Sequence, residues 1–323
     1  MPPSQTITFD SFFTLTINNF STVLEKNFLE YRPGLLVLFD GFGKSDSRGG
    51  RYWQGIAEFG INPSATYFNG THTFAQEVGQ VAAPLLYEWK YIGAALSMTQ
   101  QELLENSGPV ALADITELRL RQTMRTLSLL INQEIYGDGT NYDSKTFLGL
   151  GAAISSTGTN TLAGLDPSEY PWWKNNAIPS AGAWSTYGTG AANDKVLTLW
   201  DNCSDGPSTP DCVLSDQSLF EAYARSNVTY LRYVDTKQAD LTFQSLAYQG
   251  KKWYWDRQCP AATMYMLNKN SIHFVTDPRF KFKWTAPMGY PNQYAFTRLV
   301  GLRFFLKTAN RMFLGMASGF TGV

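Results

Sequence analysis

The stretch ALADITELRLRQTMRTLSLLINQEIY, residues 111–136, runs without a proline or glycine into GDGT at 137–140. Leu120, Met124, Leu127, Ile131 and Ile135 follow one another at steps of 4, 3, 4 and 4 residues, one continuous apolar stripe on a helix. At 1.5 Å per residue such a helix is about 39 Å long, well beyond the usual mean of about 11–12 residues. The pattern predicts a rigid spine with one buried face. Gly137 is placed to end it as a C′ residue with left-handed backbone, and Asp138 to hydrogen-bond a local turn. Arg119, Arg121 and Arg125 lie on the polar side. Two readings of them stand side by side: a surface that meets a polyanion, or a solvated face in which Glu117 pairs with Arg121 at i,i+4.

Working back from the spine, TQQE at 99–102 is a capping-box pattern, in which Thr and Glu side chains satisfy two orphan N–H groups reciprocally. Ser107-Gly108-Pro109 then breaks the chain before the spine. Earlier come two aromatic, strand-like runs: Arg51–Phe59 with Tyr52, Trp53, Ile56 and Phe59, and Leu85–Leu96 with Leu86, Tyr87, Trp89 and Tyr91. A turn-rich excursion (Gly60, Asn62-Pro63, Asn69-Gly70, Gly79) joins them, so residues 46–97 read as an extended β-hairpin. A hairpin alone is marginal in water. Tyr52, Trp53, Phe59, Trp89 and Tyr91 are therefore expected to be buried against another chain. Near the N-terminus, Ser21–Tyr31 carries Leu24, Phe28 and Tyr31 at helical spacing and stops at Pro33.

Beyond the spine the texture changes. Residues 180–193 are dominated by Ala, Gly, Ser and Thr and read as a surface loop. Cys212–Leu214 reads as a strand, and Asp216–Arg225 as a short helix with Leu219, Phe220 and Tyr223 inward. Strands then dominate, at 243–248, 252–256, 264–267, 272–274 and 294–306. The fold class is α+β, with helices and strands segregated.

Composition narrows the function. Of 323 residues, 44% are apolar and 16% charged, against about 25% charged in ordinary soluble domains. With 9 Trp, 17 Tyr and 21 Phe, the chain has either a large aromatic core or extra surface to bury against partners, since interface cores favour aromatics and shed charge. A net charge of −1 speaks against a strong nucleic-acid grip, which needs a basic stripe. No apolar run reaches the ~18 residues of a membrane span; the best is GLLVLF at 34–39. The first ten residues lack a leader's basic and apolar regions, so the matches to the glycosylation pattern at Asn19, Asn69, Asn202 and Asn227 are read as chance. Cys203, Cys212 and Cys259, odd in number and widely spaced, are expected to be free thiols.

Chemistry-bearing constellations are missing. The two histidines, His72 and His273, have no Cys pair or third His at ligand spacing, so neither metal nor cofactor is expected. His273, beside Ile272 and Phe274 in a strand, reads as structural. Gly149-Leu-Gly151 and Gly188-Thr-Gly190 lack the third glycine of a dinucleotide loop, and no P-loop occurs. GMASG at 315–319 does not match the nucleophile elbow. The expectation is a protein that is not an enzyme.

The order of parts carries a resemblance. IYGDGT at 135–140 followed by FLGL at 147–150 resembles the join between spine helix and axial domain in tailed-phage major capsid proteins, the Hong Kong 97 type of fold. CVLSDQSLFEAY at 212–223 is similar to a strand–helix unit of that axial domain, and LAYQGKKWYWD at 246–256 with MYML at 264–267 to its later strands. Residues 295–320 are similar to the family's last peripheral strands. Within them Asn310-Arg311 resembles a pair near the C-terminus of related coat proteins, as PWWKN at 171–175 resembles a tract in one branch. The likeness spans roughly 51–320 and is loose at 60–83 and 176–205.

The resemblance implies an N-terminal arm at 1–45, an E-loop hairpin at 46–97, a peripheral domain at 98–145 and 272–323, and an axial domain at 146–271. It implies self-assembly of hexamers and pentamers into the icosahedral head shell around the phage genome, with a portal protein as partner. A separate scaffolding protein is implied because only about 45 residues, without heptads, precede the hairpin. A decoration protein stays open, as does non-specific contact of Arg119, Arg121 and Arg125 with packaged double-stranded DNA in the lumen; no membrane is involved. The implied location is the virion capsid, assembled in the host cytoplasm. Some family members cross-link lysine to asparagine; here the sole lysine between Lys44 and Lys145 is Lys90, away from the hairpin tip, so none is expected. Two alternatives remain: a bacterial nanocompartment shell of the same fold, and an aromatic-rich carbohydrate-binding or carbohydrate-cleaving protein stacking Trp172, Trp173, Trp253 and Trp255 on sugars.

Overall fold

The structure, a computed structural model, describes residues 32–41, 43–59, 65–71, 73, 82–105, 109–184, 191–226, 246–286, 288–289 and 294–322; the side chains of 40, 41 and 103–117 are also outside the description. The helix expected at 21–31, His72, most of the hairpin's far end and the start of the strand at 243 lie outside these residues, as does the Glu117 side chain.

The capping box forms. Thr99 N–H donates to Glu102 Oε2 at 3.0 Å and Glu102 N–H to Thr99 Oγ1 at 3.3 Å, opening the helix Gln100–Glu105. The long helix follows as Pro109–Ile135, 27 residues, with proline at a first-turn position where its missing N–H costs nothing. Leu120, Met124, Leu127, Ile131 and Ile135 are all buried. The helix end differs from expectation, because Gly137 is not left-handed and Gly139 is, at φ +89°. The reason is close approach. A Cβ on Gly149 would lie 2.4 Å from the Glu134 carbonyl oxygen and 2.5 Å from that of Ile135, so the returning chain itself covers the last turn. Asp138 makes its turn, accepting from Thr140 N–H at 3.0 Å and Thr140 Oγ1 at 2.7 Å.

In chain order the first strands are β1 (Gly43–Ser45), β2 (Tyr52–Glu58), β3 (Ala82–Glu88), β4 (Lys90–Thr99), β5 (Asn176–Ile178), β6 (Gly182–Ala183) and β7 (Cys212–Ser215). The rest are β8 (Leu246–Tyr248), β9 (Lys251–Trp255), β10 (Thr263–Leu267), β11 (Ile272–Trp284), β12 (Met288–Gly289), β13 (Ala295–Thr308), β14 (Gly315–Ser318) and β15 (Phe320–Thr321). The run expected at 85–96 is thus two strands with different partners. β3 pairs antiparallel with β2, while β4 pairs with β13.

One sheet has the order β1-β11-β13-β4, with β12 also on β13. Phe304 and Phe305, adjacent in β13, point to opposite faces. Phe304 stacks with Phe274 and meets Phe147, while Phe305 meets Trp53, Tyr87 and Trp89 of the hairpin root. The second sheet has the order β5-β14-β10-β7-β9-β8. The helices Ala192–Asn202 and Gln217–Ser226 pack Val196, Leu199, Leu219 and Phe220 on its Val213, Trp253, Met264 and Met266.

Two expectations change here. Within 180–193, Ala181 and Trp184 are buried, β6 pairs with β15, and a helix starts at Ala192. Small residues hid these anchors from a reading by composition. The C-terminal chain also leaves the first sheet after β13. β14 pairs with β10 and β5 of the second sheet, so residues 315–321 do not belong to a peripheral unit ending at 323.

Buried polar groups tie the parts together. Asp256 accepts from Gly34 N–H at 2.9 Å and from Asn132 Nδ2 at 3.0 Å, joining the turn Pro33–Leu36, the long helix and the end of β9. Arg311 plugs the join between the sheets, donating to the Ala153 and Asn160 carbonyls at 2.9 Å and to Asn175 Oδ1 at 2.8 Å. The Asn310-Arg311 and PWWKN tracts are therefore one packed unit.

Candidate assembly surface at the hairpin root

Side chains alternate along β2 and β3. Trp53, Ala57, Ala83, Leu85 and Tyr87 point inward, with Trp89 at the corner. Trp89 meets Phe305 edge-on at 4.7 Å, Trp53 lies 5.6 Å from it, and Tyr87 stacks on it at 5.5 Å. The Tyr87 hydroxyl accepts from Thr308 N–H and donates to Thr308 O, both at 3.1 Å, and burial pushes its phenol up to about 12. The Trp53 indole donates to Asp46 Oδ2 at 2.7 Å.

This corrects the expectation that Trp53 and Trp89 anchor a neighbouring chain. They are 5% and 3% exposed, inside this chain's own core. Phe59 is consumed too, stacked on Trp172 at 4.1 Å. The hairpin root is not isolated, because the face of β11 and β13 carrying Phe305 lies beneath it. Tyr52 does face outward, at 51% exposure, with Ile56 at 69% and Leu86 at 45%; Tyr91, at 62%, is exposed on β4, edge-on to Phe280. The signal that finds Ile56 and Leu86 is the two-residue period of each strand. Register sets Gln54 opposite Leu86 and Ile56 opposite Pro84 on this outer face. The outer face of β2 and β3 thus exposes Tyr52, Ile56 and Leu86.

The arginines of the long helix divide. Arg119 is structural, donating to Ser97 O and Glu102 Oε1 and so bracing the capped helix against the spine. Arg121 and Arg125 are exposed. His273 is buried and its Nε2 lies 3.0 Å from Lys44 Nζ; burial and the nearby Lys44 and Lys307 push it down to about 4. The three cysteines are buried and none is in a disulfide.

Two clefts of about 270 and 340 Å³ flank Lys90, between the hairpin root, the long helix and the 138–148 turn. Lys90 Nζ bridges Glu88 Oε2 at 2.7 Å and the Ser144 carbonyl at 2.9 Å. The carboxylates at the rim are occupied. Lys90 and Arg51 hold Glu88 below the usual carboxylate range, and the Thr140 hydroxyl and N–H do the same for Asp138. Trp173 and Trp253 have no exposed surface, which removes them as sugar platforms. Among the described residues no group of His, Cys, Asp and Glu could hold a metal, and no helix is long and apolar enough to cross a membrane.

No protein-family model and no curated protein sequence matches the chain. Its hairpin, long helix and two sheets, in this connectivity, have the fold of tailed-phage capsid subunits. It superposes on the capsid asymmetric unit of cyanophage A-1(L) with TM-score 0.66 and 14% identity, over 89% of this chain and 92% of that one. Mycobacterium phage Bobi gives 0.56 and 12%, over 91% and 92%. The holo-SrpI encapsulin complex of Synechococcus elongatus gives 0.52 and 11%, over 89% and 88%. Identity this low establishes the fold and leaves function to the surfaces.

Proposed function

We propose that the chain is the major capsid protein of a tailed phage, a subunit that builds the icosahedral head shell around the genome. The observation that carries this reading is the outward apolar face of the β2–β3 hairpin, Tyr52, Ile56 and Leu86, on a fold shared with phage capsids. A soluble chain that leaves such a face uncovered gains by burying it against copies of itself. In this reading the outer face of the β2–β3 hairpin meets a neighbouring copy, the long helix is the rigid reference, and the two sheets are peripheral and axial units. A portal protein and a separate scaffolding protein would complete assembly in the host cytoplasm, and Arg121 and Arg125 would meet DNA in the lumen. The chain works without cofactor and without catalysis. Electron microscopy of the purified protein, co-expressed with its neighbouring genes, tests this. Closed shells are expected; a monomer at high concentration under every condition would refute it.

A nanocompartment shell is the second reading, favoured by the likeness to the encapsulin fold. The contents of purified particles separate the two: DNA supports the phage head, and an enclosed protein supports the nanocompartment.

A further inference from the structure

Where the hairpin leaves the first sheet, three cations and one imidazole come together. Lys44 on β1, His273 on β11 and Lys307 on β13 stand on three adjacent strands, with His273 and Lys307 directly paired in register. Lys44 Nζ lies 3.0 Å from His273 Nε2. Lys307 Nζ sits over the Trp53 ring at 4.6 Å, and the Arg48 guanidinium lies 5.4 Å from the same ring. Among the described residues one carboxylate faces them, Asp46, and it is already engaged. Its Oδ2 takes the Trp53 indole N–H at 2.7 Å and lies 3.5 Å from Arg48, while its Oδ1 takes the Arg48 N–H at 3.0 Å.

The two lysines have no carboxylate partner among the described residues. Lys44 meets a neutral imidazole, and Lys307 meets an aromatic face. An ammonium taken partly out of water, as that of Lys307 is, normally finds an anion, whereas Lys44 is exposed. Here the cations raise one another's cost. Burial, then Lys44 and Arg48, hold Lys307 below the usual lysine range. The site is short of negative charge, although Arg48 also donates to the Gln54 carbonyl at 3.0 Å.

We propose that Lys44, Arg48 and Lys307 form a binding site for an oxyanion, seated beside Trp53 between the hairpin root and β1. A bound oxyanion would take hydrogen bonds from Lys44 and Lys307 together, as charge-assisted donors do. It would thereby clamp β1 and the hairpin root onto the end of β13. The oxyanion has two sources, inorganic phosphate in solution or a carboxylate presented by a second copy of this chain. The site does not depend on the shell reading.

The chain has two histidines, so His72→Gln leaves His273 as the single imidazole signal in an NMR titration. Millimolar inorganic phosphate, at ionic strength matched with chloride, is expected to raise the His273 midpoint by about half a pH unit, because it neutralises the adjacent ammoniums. It should also raise the thermal midpoint at pH 7 by a few degrees through mass action, roughly as ligand concentration over Kd dictates. Lys307→Met and, separately, Lys44→Met should fold and lose both responses. If the same upward shift comes without phosphate as protein concentration rises, and Lys307→Met abolishes it, the oxyanion is a carboxylate of a second copy. No response to phosphate or to protein concentration, or an undiminished response in both variants, overturns the proposal.

Discussion

Arg311 has no exposed surface, and its guanidinium is satisfied by carbonyl and amide oxygens of Ala153, Asn160 and Asn175. Burial lowers it to about 10, so it stays charged at neutral pH. Removing it strands several buried acceptors at once. Arg311→Met should cost about 3 kcal/mol or more in unfolding free energy. Arg311→Lys should recover little, because the planar fork is what fits three partners. The urea midpoint of the unassembled protein measures both. A second residue-scale effect concerns acid. His273 falls from the ordinary 6.5 to about 4 in the fold, so it is held neutral. Its stabilisation is complete above pH 6.5 and drains as pH falls towards 4, since the unfolded chain takes up the proton first. Asp277, held at about 2 chiefly by its hydrogen bonds to Arg279 and also by Arg303, has a lower window, from 3.8 down to 2. His273→Gln should flatten the upper slope of a stability–pH curve and leave the lower one.

At the scale of elements, the hairpin root and its outer face should respond differently. Trp53→Ala opens a cavity in the subunit's own core and should cost about 3–5 kcal/mol in unfolding. Tyr52→Ser and Ile56→Ser touch nothing buried in the subunit and should leave unfolding within about 0.5 kcal/mol. Their shell yield, counted by sedimentation, should drop. Equal losses of subunit stability at Trp53 and Ile56 would contradict this division. The end of the long helix offers another contrast. Gly149→Ala drives a methyl into the Glu134 and Ile135 carbonyls, a backbone clash that should cost about 2–3 kcal/mol. Gly164, which has open space around it, tolerates added volume but sits at φ +86°, so its alanine variant carries only backbone strain.

For the whole molecule, stability of the proposed shell has to come from non-covalent burial. Lys90, the one lysine of the hairpin segment, is bound to Glu88 and the Ser144 carbonyl on its own chain. Mature particles boiled in detergent and reductant should run as one band near 36.1 kDa. A ladder of multimers would show a cross-link and refute the assignment of Lys90 to this internal bridge.

The long helix, its capping box, the strand–helix unit at 212–225 and the order of parts were legible in the sequence, because each rests on local periodicity or on a short-range hydrogen bond. Free cysteines and a structural His273 followed from residue counts and flanking apolar residues. The hairpin's existence was legible as well, but not its partner. Whether Trp53 and Trp89 face a neighbour or their own sheet depends on Phe305, more than two hundred residues away, and no local pattern encodes that contact. The same holds for Gly149 against the helix end, for β14 crossing into the second sheet, and for Arg311 reaching Asn160 and Asn175. Lys44, His273 and Lys307 are unremarkable where they stand in the chain; strand order alone makes them neighbours. Periodicity fixes which face of an element is apolar, and only tertiary packing decides what covers it.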